Sequence, residues 1–290
     1  MSDTIKSIGI VGSDHDESLK AMASYQSLGE AIYFILFGNR TDIRHVASDN
    51  GISLDKCKIV DTTNELESCQ LAVKMAAEGK LNVLMKGNVP TALFLGELLD
   101  KKYNLMEEGS VLSHVAVLNL PWYHKPLIIT DGAVSIMPDI ERKVQILKNA
   151  LLVARKSGIK VPKVALVSPV EKVNPRIVST TDAAQLIFLQ QSTKTFGDII
   201  IEGPFGLDVA LSHLAASVKG IAGEVPGEAD IVLLGNLDAA NATYKAFLTM
   251  GDVVSAGIIV GAKLPVILTS RSDTRQTRIE SIELALKVSL

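Results

Sequence analysis

Short runs rich in Val, Ile and Leu alternate along this chain with stretches of helical periodicity, and that alternation restricts its fold more than any other feature. The apolar runs fall at residues 5–11, 32–37, 58–60, 82–85, 111–118, 126–130, 163–167, 198–201, 230–234, 257–260 and 265–269. They are short, β-branched and bounded by Gly, Pro, Asn or Asp, which reads as buried strands. Between them lie amphipathic segments such as residues 65–77 and 141–156; in the latter Val144, Leu147, Leu151 and Ala154 mark one face. Strand–helix alternation of this kind predicts an α/β protein with mostly parallel sheets covered by helices.

The core is aliphatic. Apolar residues make up 47% of the 290 residues, and aromatic residues only 4%. That length suits one large or two ordinary domains. No low-complexity linker or internal repeat divides the chain, and the weakest continuity lies at residues 119–125. The formal net charge is -3, from 29 basic and 32 acidic residues, which gives no bulk attraction to nucleic acid or an anionic membrane. An anionic ligand must therefore be held by a local cluster. Cys57 and Cys69 form no C-x-x-C pair and have no histidine cluster beside them, so no zinc site is expected. No uncharged apolar stretch approaches the roughly 20 residues of a membrane span. The apolar run at residues 8–11 is too short for a signal peptide. The expectation is a soluble, cytoplasmic protein without permanent cofactor or metal.

Several familiar nucleotide and hydrolase motifs are missing. Gly9-Ile-Val-Gly12 is not G-x-G-x-x-G, Lys86-Gly87 is not a P-loop, and there is no G-x-S-x-G elbow. What remains is a series of polar clusters at predicted strand ends, where open α/β sheets bind their ligands. Near the C-terminus, Thr269-Ser270-Arg271-Ser272-Asp273 lies between a strand and a helix whose apolar face is Ile279, Ile282, Ala285 and Leu286. Helix N-termini favour anions; the alternative is plain capping by Ser270 or Ser272. Lys86 and Gly87 follow an apolar strand, with Lys86 a partner for phosphate. Ser113 and His114 interrupt another strand, His114 reading as a core histidine and Ser113 as a group facing a cleft. Asp131-Gly132 ends a strand, with a helix starting near Pro138. Two polar loops complete the set: Glu171-Lys172-Val173-Asn174-Pro175 and Glu202-Gly203-Pro204-Phe205-Gly206-Leu207-Asp208.

Taken in order, these segments resemble the phosphate acyltransferase family of phosphotransacetylases and phosphotransbutyrylases. The resemblance spans roughly residues 82–290. Glu171-Lys-Val-Asn-Pro175 and Leu268-Thr-Ser-Arg271 look most like the phosphate butyryltransferase branch. It implies a two-domain α/β fold similar to isocitrate and isopropylmalate dehydrogenases. One domain would comprise 1–120 plus 262–290 and the other 121–261, with the active-site cleft between them. It also implies reversible transfer of an acyl group between CoA and inorganic phosphate, a homodimer, and metabolic coupling to an acyl kinase. By the same resemblance Ser270 contacts the thiol or carbonyl oxygen and Arg271 the phosphate. Lys86, Gly87, Ser113, His114, Asp131, Gly132, Lys172, Asn174, Gly203 and Pro204 would line the substrate site.

Two departures bear on the chemistry. Thr277 stands near the position of the family's catalytic Asp, leaving Asp273 as the neighbouring carboxylate, with direct thiolate attack as the alternative. Gly132 stands where some acetyl enzymes carry Cys, compatible with a larger acyl pocket. The competing readings are an acetyl-specific enzyme, a metal- and NAD-dependent dehydrogenase of the same fold, and a non-catalytic acyl-CoA-binding protein. No paired Asp motif for a divalent metal supports the dehydrogenase.

Overall fold

The computed structural model describes residues 6–29, 32–268 and 273–289. The chain forms two compact units: Met1–Ser110 with Ala256–Leu290, and Val111–Ser255. The first opens with β1 (Lys6–Val11), α1 (Asp16–Gln26), β2 (Ile32–Gly38), α2 (Arg40–Asp49), β3 (Cys57–Asp61), α3 (Glu65–Ala77), β4 (Val83–Lys86) and α4 (Thr91–Leu99). In β2, Phe34, Ile35, Leu36 and Phe37 are all buried, as expected for a parallel strand covered on both faces. Helices α2 and α3 start on side-chain caps. Asn39 Oδ1 accepts from Thr41 N at 2.9 Å, and Asn64 Oδ1 accepts from Glu67 N at 2.9 Å. Glu67 reaches back to Thr63 N at 2.7 Å, so both ends of the α3 entry are held.

The second unit contains β5 (Ser113–Asn119), β6 (Leu127–Thr130), α5 (Ile140–Lys156), β7 (Lys163–Val167), α6 (Val178–Thr193), β8 (Ile200–Phe205), α7 (Leu207–Leu211), α8 (His213–Val218), β9 (Ile231–Leu233) and α9 (Leu237–Thr249). Its strand order is β5-β6-β9-β7-β8, with β5 and β6 antiparallel and the other pairs parallel. The hairpin of β5 with β6 places β5 in this unit, so the division falls at residues 110/111 rather than at the Pro-Trp-Tyr segment after β5. Helix α5 starts at Ile140, capped by Asp139, whose Oδ1 accepts from Arg142 N at 2.8 Å. Its buried face takes in Ile146 and Lys143, while Val144 is only half-buried. Lys143 is admitted because its ammonium pairs with Asp182 of α6.

The chain then returns through β10 (Val254–Val260), β11 (Val266–Leu268) and α10 (Arg275–Val288). Strand β11 runs parallel to β4 and antiparallel to β10, giving the order β3-β2-β1-β4-β11-β10 in the first unit. The apolar face read from the sequence, Ile279, Ile282, Ala285 and Leu286, is buried. Ser281 Oγ accepts the Gly257 N–H at 3.0 Å and fastens α10 to β10. Among the described residues no helix is long and apolar enough to cross a membrane.

Candidate functional site

In the first unit the path from β1 to β2 and β3 moves outward on one side, and β4 then pairs with the other side of β1. Such a reversal opens a crevice at the strands' carboxyl ends. A cleft of about 610 Å³ lies there, lined by His15, Glu17, Ser18, Glu65, Arg278 and the segment from Lys86 to Pro90. Its floor needs glycine. Gly87 N donates to Val11 O and Asn88 N to Gly12 O, both at 2.8 Å. A Cβ on Gly87 would stand 2.3 Å from Gly12 O and 2.9 Å from Val11 O, both fixed backbone atoms. Lys86 Nζ donates to the carbonyls of Gly87 and Val89, each at 3.1 Å, so the ammonium is held over its own loop at the cleft wall.

Further charged groups come from helix ends. Arg278, in the first turn of α10, is only 6% exposed, and its Nη1 is hydrogen-bonded to Glu17 Oε2 of α1. Asp273 is half-buried just before the Thr274 cap of α10. Ser270 and Arg271 lie outside the described residues. A smaller polar recess of about 170 Å³ adjoins the cleft through Glu65, Asn88 and Val89. Asp14 borders it, with an Oδ1 that is shielded from solvent and has no hydrogen-bond partner among the described residues.

In the second unit the structure brings His114, Asp131 and Gly132 together. Asp131 Oδ1 accepts from His114 N at 3.0 Å and from Ala133 N and Val134 N at 3.1 Å each; Oδ2 accepts from Ser135 N at 2.9 Å. The carboxylate is 4% exposed and organises the whole turn after β6. The His114 ring stacks edge-on to Tyr244 at 5.7 Å. Burial lowers its pKa to about 4 against the opposing pull of Asp131, so the imidazole is neutral at pH 7. Its Nδ1 is shielded and has no hydrogen-bond partner among the described residues. It is therefore not the fully satisfied core histidine the strand pattern implies. Gly132 borders that nitrogen: a Cβ there would lie 3.3 Å from Nδ1. Ser113 faces α5 instead of a cleft. It is fully buried, and its Oγ accepts from Asn149 Nδ2 at 2.8 Å.

The remaining sequence-predicted residues lie elsewhere in that unit. Asn174 forms a turn before α6, its Oδ1 accepting from Arg176 N at 2.9 Å. Lys172 is exposed. Its neighbour Glu171 pairs with Lys219 at 2.7 Å, and Lys219 also pairs with Asp208 at 2.9 Å. Gly203 and Pro204 belong to β8, at the edge of the unit's sheet. A Cβ on Gly203 would meet Leu166 O at 2.7 Å, so glycine allows β8 to close on β7. Among the described residues no group of three or more His, Cys, Asp and Glu could hold a metal ion.

Sequence reading overlooked Arg278, Glu17, Ser18 and His15. One signal was present. Arg278 precedes Ile282 by four residues and Ala285 by seven, on the buried stripe of its helix, where an unpaired charge does not belong.

Comparison with known proteins agrees with this architecture. The phosphate acetyl/butaryl transferase family matches residues 62–286. A phosphate butyryltransferase from Clostridium beijerinckii is 37% identical over 286 residues, covering 98% of this chain and 93% of its own. The crystal structure of a branched-chain phosphotransacylase from Enterococcus faecalis V583 superposes with a TM-score of 0.87 at 31% identity, covering 98% of this chain and 99% of that one. A putative 4-hydroxythreonine-4-phosphate dehydrogenase from Salmonella typhimurium shares the fold alone, with a TM-score of 0.61 at 11% identity over 99% of this chain and 100% of that one. The chain belongs to the phosphate acetyl/butaryl transferase family.

Proposed function

We propose that this protein reversibly transfers a short-chain acyl group, butyryl or branched, between CoA and inorganic phosphate. The observation that carries this reading is the crevice at the carboxyl ends of β1 and β4, whose glycine floor lets a ligand approach the backbone and whose lining mixes Lys86 and Arg278 with Ser18, Glu17 and Glu65. Acyl transfer to phosphate needs such a surface. In one direction a phosphate oxygen attacks the thioester carbonyl and the CoA thiolate leaves. In the other the thiolate attacks the acyl phosphate and the C–O bond to phosphate breaks. Negative charge sits on phosphate throughout, and guanidinium or ammonium groups and backbone N–H groups stabilise it. A free thiol has a pKa near 8.5, so a hydrogen-bond partner or base assists its attack. In this reading Ser270 serves the thiol or carbonyl oxygen, Arg271 the phosphate, and Asp273 the proton. The names of the two close relatives support a butyryl or branched acyl group over acetyl.

The same reading carries a homodimer working in the cytoplasm, with an acyl kinase consuming the acyl phosphate. The test is release of free CoA thiol from acetyl-, butyryl- and isobutyryl-CoA with and without phosphate. Phosphate-dependent release, fastest with butyryl- or isobutyryl-CoA, is expected. Release independent of phosphate would identify a thioesterase, and no release would favour an acyl-CoA-binding protein.

A further inference from the structure

The His114 ring keeps its own hydrogen bonding open while the groups around it are closed. His114 lies one step beyond the Val115–Thr130 pair of the β5–β6 hairpin, at the carboxyl end of β6. Its backbone is clamped on both sides: its N–H donates to Asp131 Oδ1 at 3.0 Å, and its carbonyl accepts from Thr130 Oγ1 at 2.9 Å. Helix α9 completes the mount. Asn241 Nδ2 donates to Gly132 O at 2.8 Å, and Tyr244 meets the imidazole edge-on. The ring is thus fixed by its backbone and by shape.

A neutral imidazole has one N–H donor and one acceptor nitrogen. Burial, aided by the charge of Lys245, keeps this ring neutral at pH 7. Among the described residues neither nitrogen has a hydrogen-bond partner, and of the two only Nδ1 is shielded from solvent. Orphaned buried N–H groups are rarer than orphaned acceptors, which puts the proton on Nε2. His114 therefore presents one uncharged N–H donor on the open side of a fixed ring. Unsatisfied polar atoms in an otherwise saturated setting call for an explanation, and a bound acceptor supplies one.

An uncharged donor selects among acceptors. A phosphate dianion is met best by cations, and it would draw the imidazole toward the charged form that burial opposes. A carbonyl oxygen is neutral in the ground state and gains negative charge only as a nucleophile adds, so a fixed N–H binds it most strongly in the transition state. The acyl carbonyl is also the group that acyl-CoA and acyl phosphate share, so one donor serves both directions. We propose that His114 Nε2–H donates to the acyl carbonyl oxygen. As phosphate or thiolate adds to the carbonyl carbon, the C=O π pair moves onto this oxygen; as the pair returns, thiolate or phosphate leaves. The imidazole keeps its proton throughout. This rests on the acyl-transfer reading above and gives a chemical role to a residue expected only to line the site.

The test is steady-state kinetics of His114→Phe and His114→Gln with phosphate and butyryl-CoA varied separately. His114→Phe keeps a ring against Tyr244 and removes both nitrogens; His114→Gln returns an amide donor near the place of Nε2. In His114→Phe kcat should fall about 100-fold, with KM for phosphate changed less than about twofold, and His114→Gln should recover at least about tenfold of the loss. A kcat in His114→Phe within about threefold of wild type would overturn the proposal. So would a His114→Gln no faster than His114→Phe, which would assign the loss to packing. A second readout needs no turnover: in wild-type protein carrying ¹⁵N-histidine, butyryl-CoA without phosphate should shift the His114 Nε2 resonance, and free CoA, which lacks the carbonyl, should not. No shift with saturating butyryl-CoA, or equal shifts with both, would overturn the proposal. If His114→Phe does not fold, as judged by circular dichroism, His114→Gln and the resonance carry the test. If the wild type transfers no acyl group to phosphate, the functional reading fails by itself, and the butyryl-CoA titration still decides whether His114 meets an acyl carbonyl.

Discussion

Asp131 holds His114 through the backbone, its Oδ1 accepting the His114 N–H at 3.0 Å across the β5–β6 hairpin. The same carboxylate takes three further N–H groups from the turn that follows β6. One side chain thus fixes both Gly132 and the strand that carries the imidazole.

Asp131→Asn replaces a four-bond acceptor with a group that can accept on one atom only. At least one buried N–H then loses its partner, a loss of about 2–4 kcal/mol given that charged acceptors exceed the usual 1–3. Urea unfolding should show a lower midpoint with unchanged slope. An unchanged midpoint would mean that the turn is organised by something else.

His114 predicts a pH dependence of stability. Its folded pKa of about 4 lies below the ordinary 6.5 because burial disfavours the charged ring. The unfolded chain therefore takes up a proton in a window where the folded protein does not. This histidine costs no stability above pH 6.5, and its contribution falls progressively between pH 6.5 and 4, by about 3 kcal/mol at most. In His114→Gln that component of the curve should flatten. The wild-type imidazole proton resonance should not titrate above pH 5.

Gly87→Ala tests the floor of the cleft. Its Cβ would stand 2.3 Å from Gly12 O, and neither backbone segment can yield without separating the β1 and β4 loops. A destabilisation of about 2–3 kcal/mol is expected, together with loss of acyl transfer as Lys86 is displaced. A variant as stable and active as wild type would show that the loops separate easily.

The cysteines should be inert in the native protein. Burial raises Cys69 from 9.0 to about 11, and raises Cys57 as well. At pH 8 the thiolate fraction of Cys69 falls about a hundredfold, so native-state labelling should be slow and unfolding should release it. Fast labelling of Cys69 would reveal local opening of α3.

Arg271→Ala should lower kcat/KM for acyl transfer by about tenfold or more through lost charge stabilisation. Wild-type rates in that variant would remove Arg271 from the reaction.

The alternation of apolar runs and helical segments was enough to read the α/β class, because strand and helix periodicities are local properties of the chain. Residues 65–77 coincide with α3, and 163–167 with β7, for that reason. Strand β8 shows where locality fails. Gly203 and Pro204 read as a break, yet the strand continues through both to Phe205, because Leu166 of the neighbouring strand leaves no room for a Cβ and an edge strand tolerates proline. The individual clusters at Lys86 and Asp131 were visible as polar groups at strand ends, since chain order alone places them there. Pairing Arg278 with Glu17 depends on packing α10 against α1 across the length of the sequence, and no local pattern encodes that contact. Chain-local chemistry determined which elements form and which end of each strand is polar; tertiary packing decided which distant charges meet, because only the folded sheet brings the first turn of α1 to the first turn of α10.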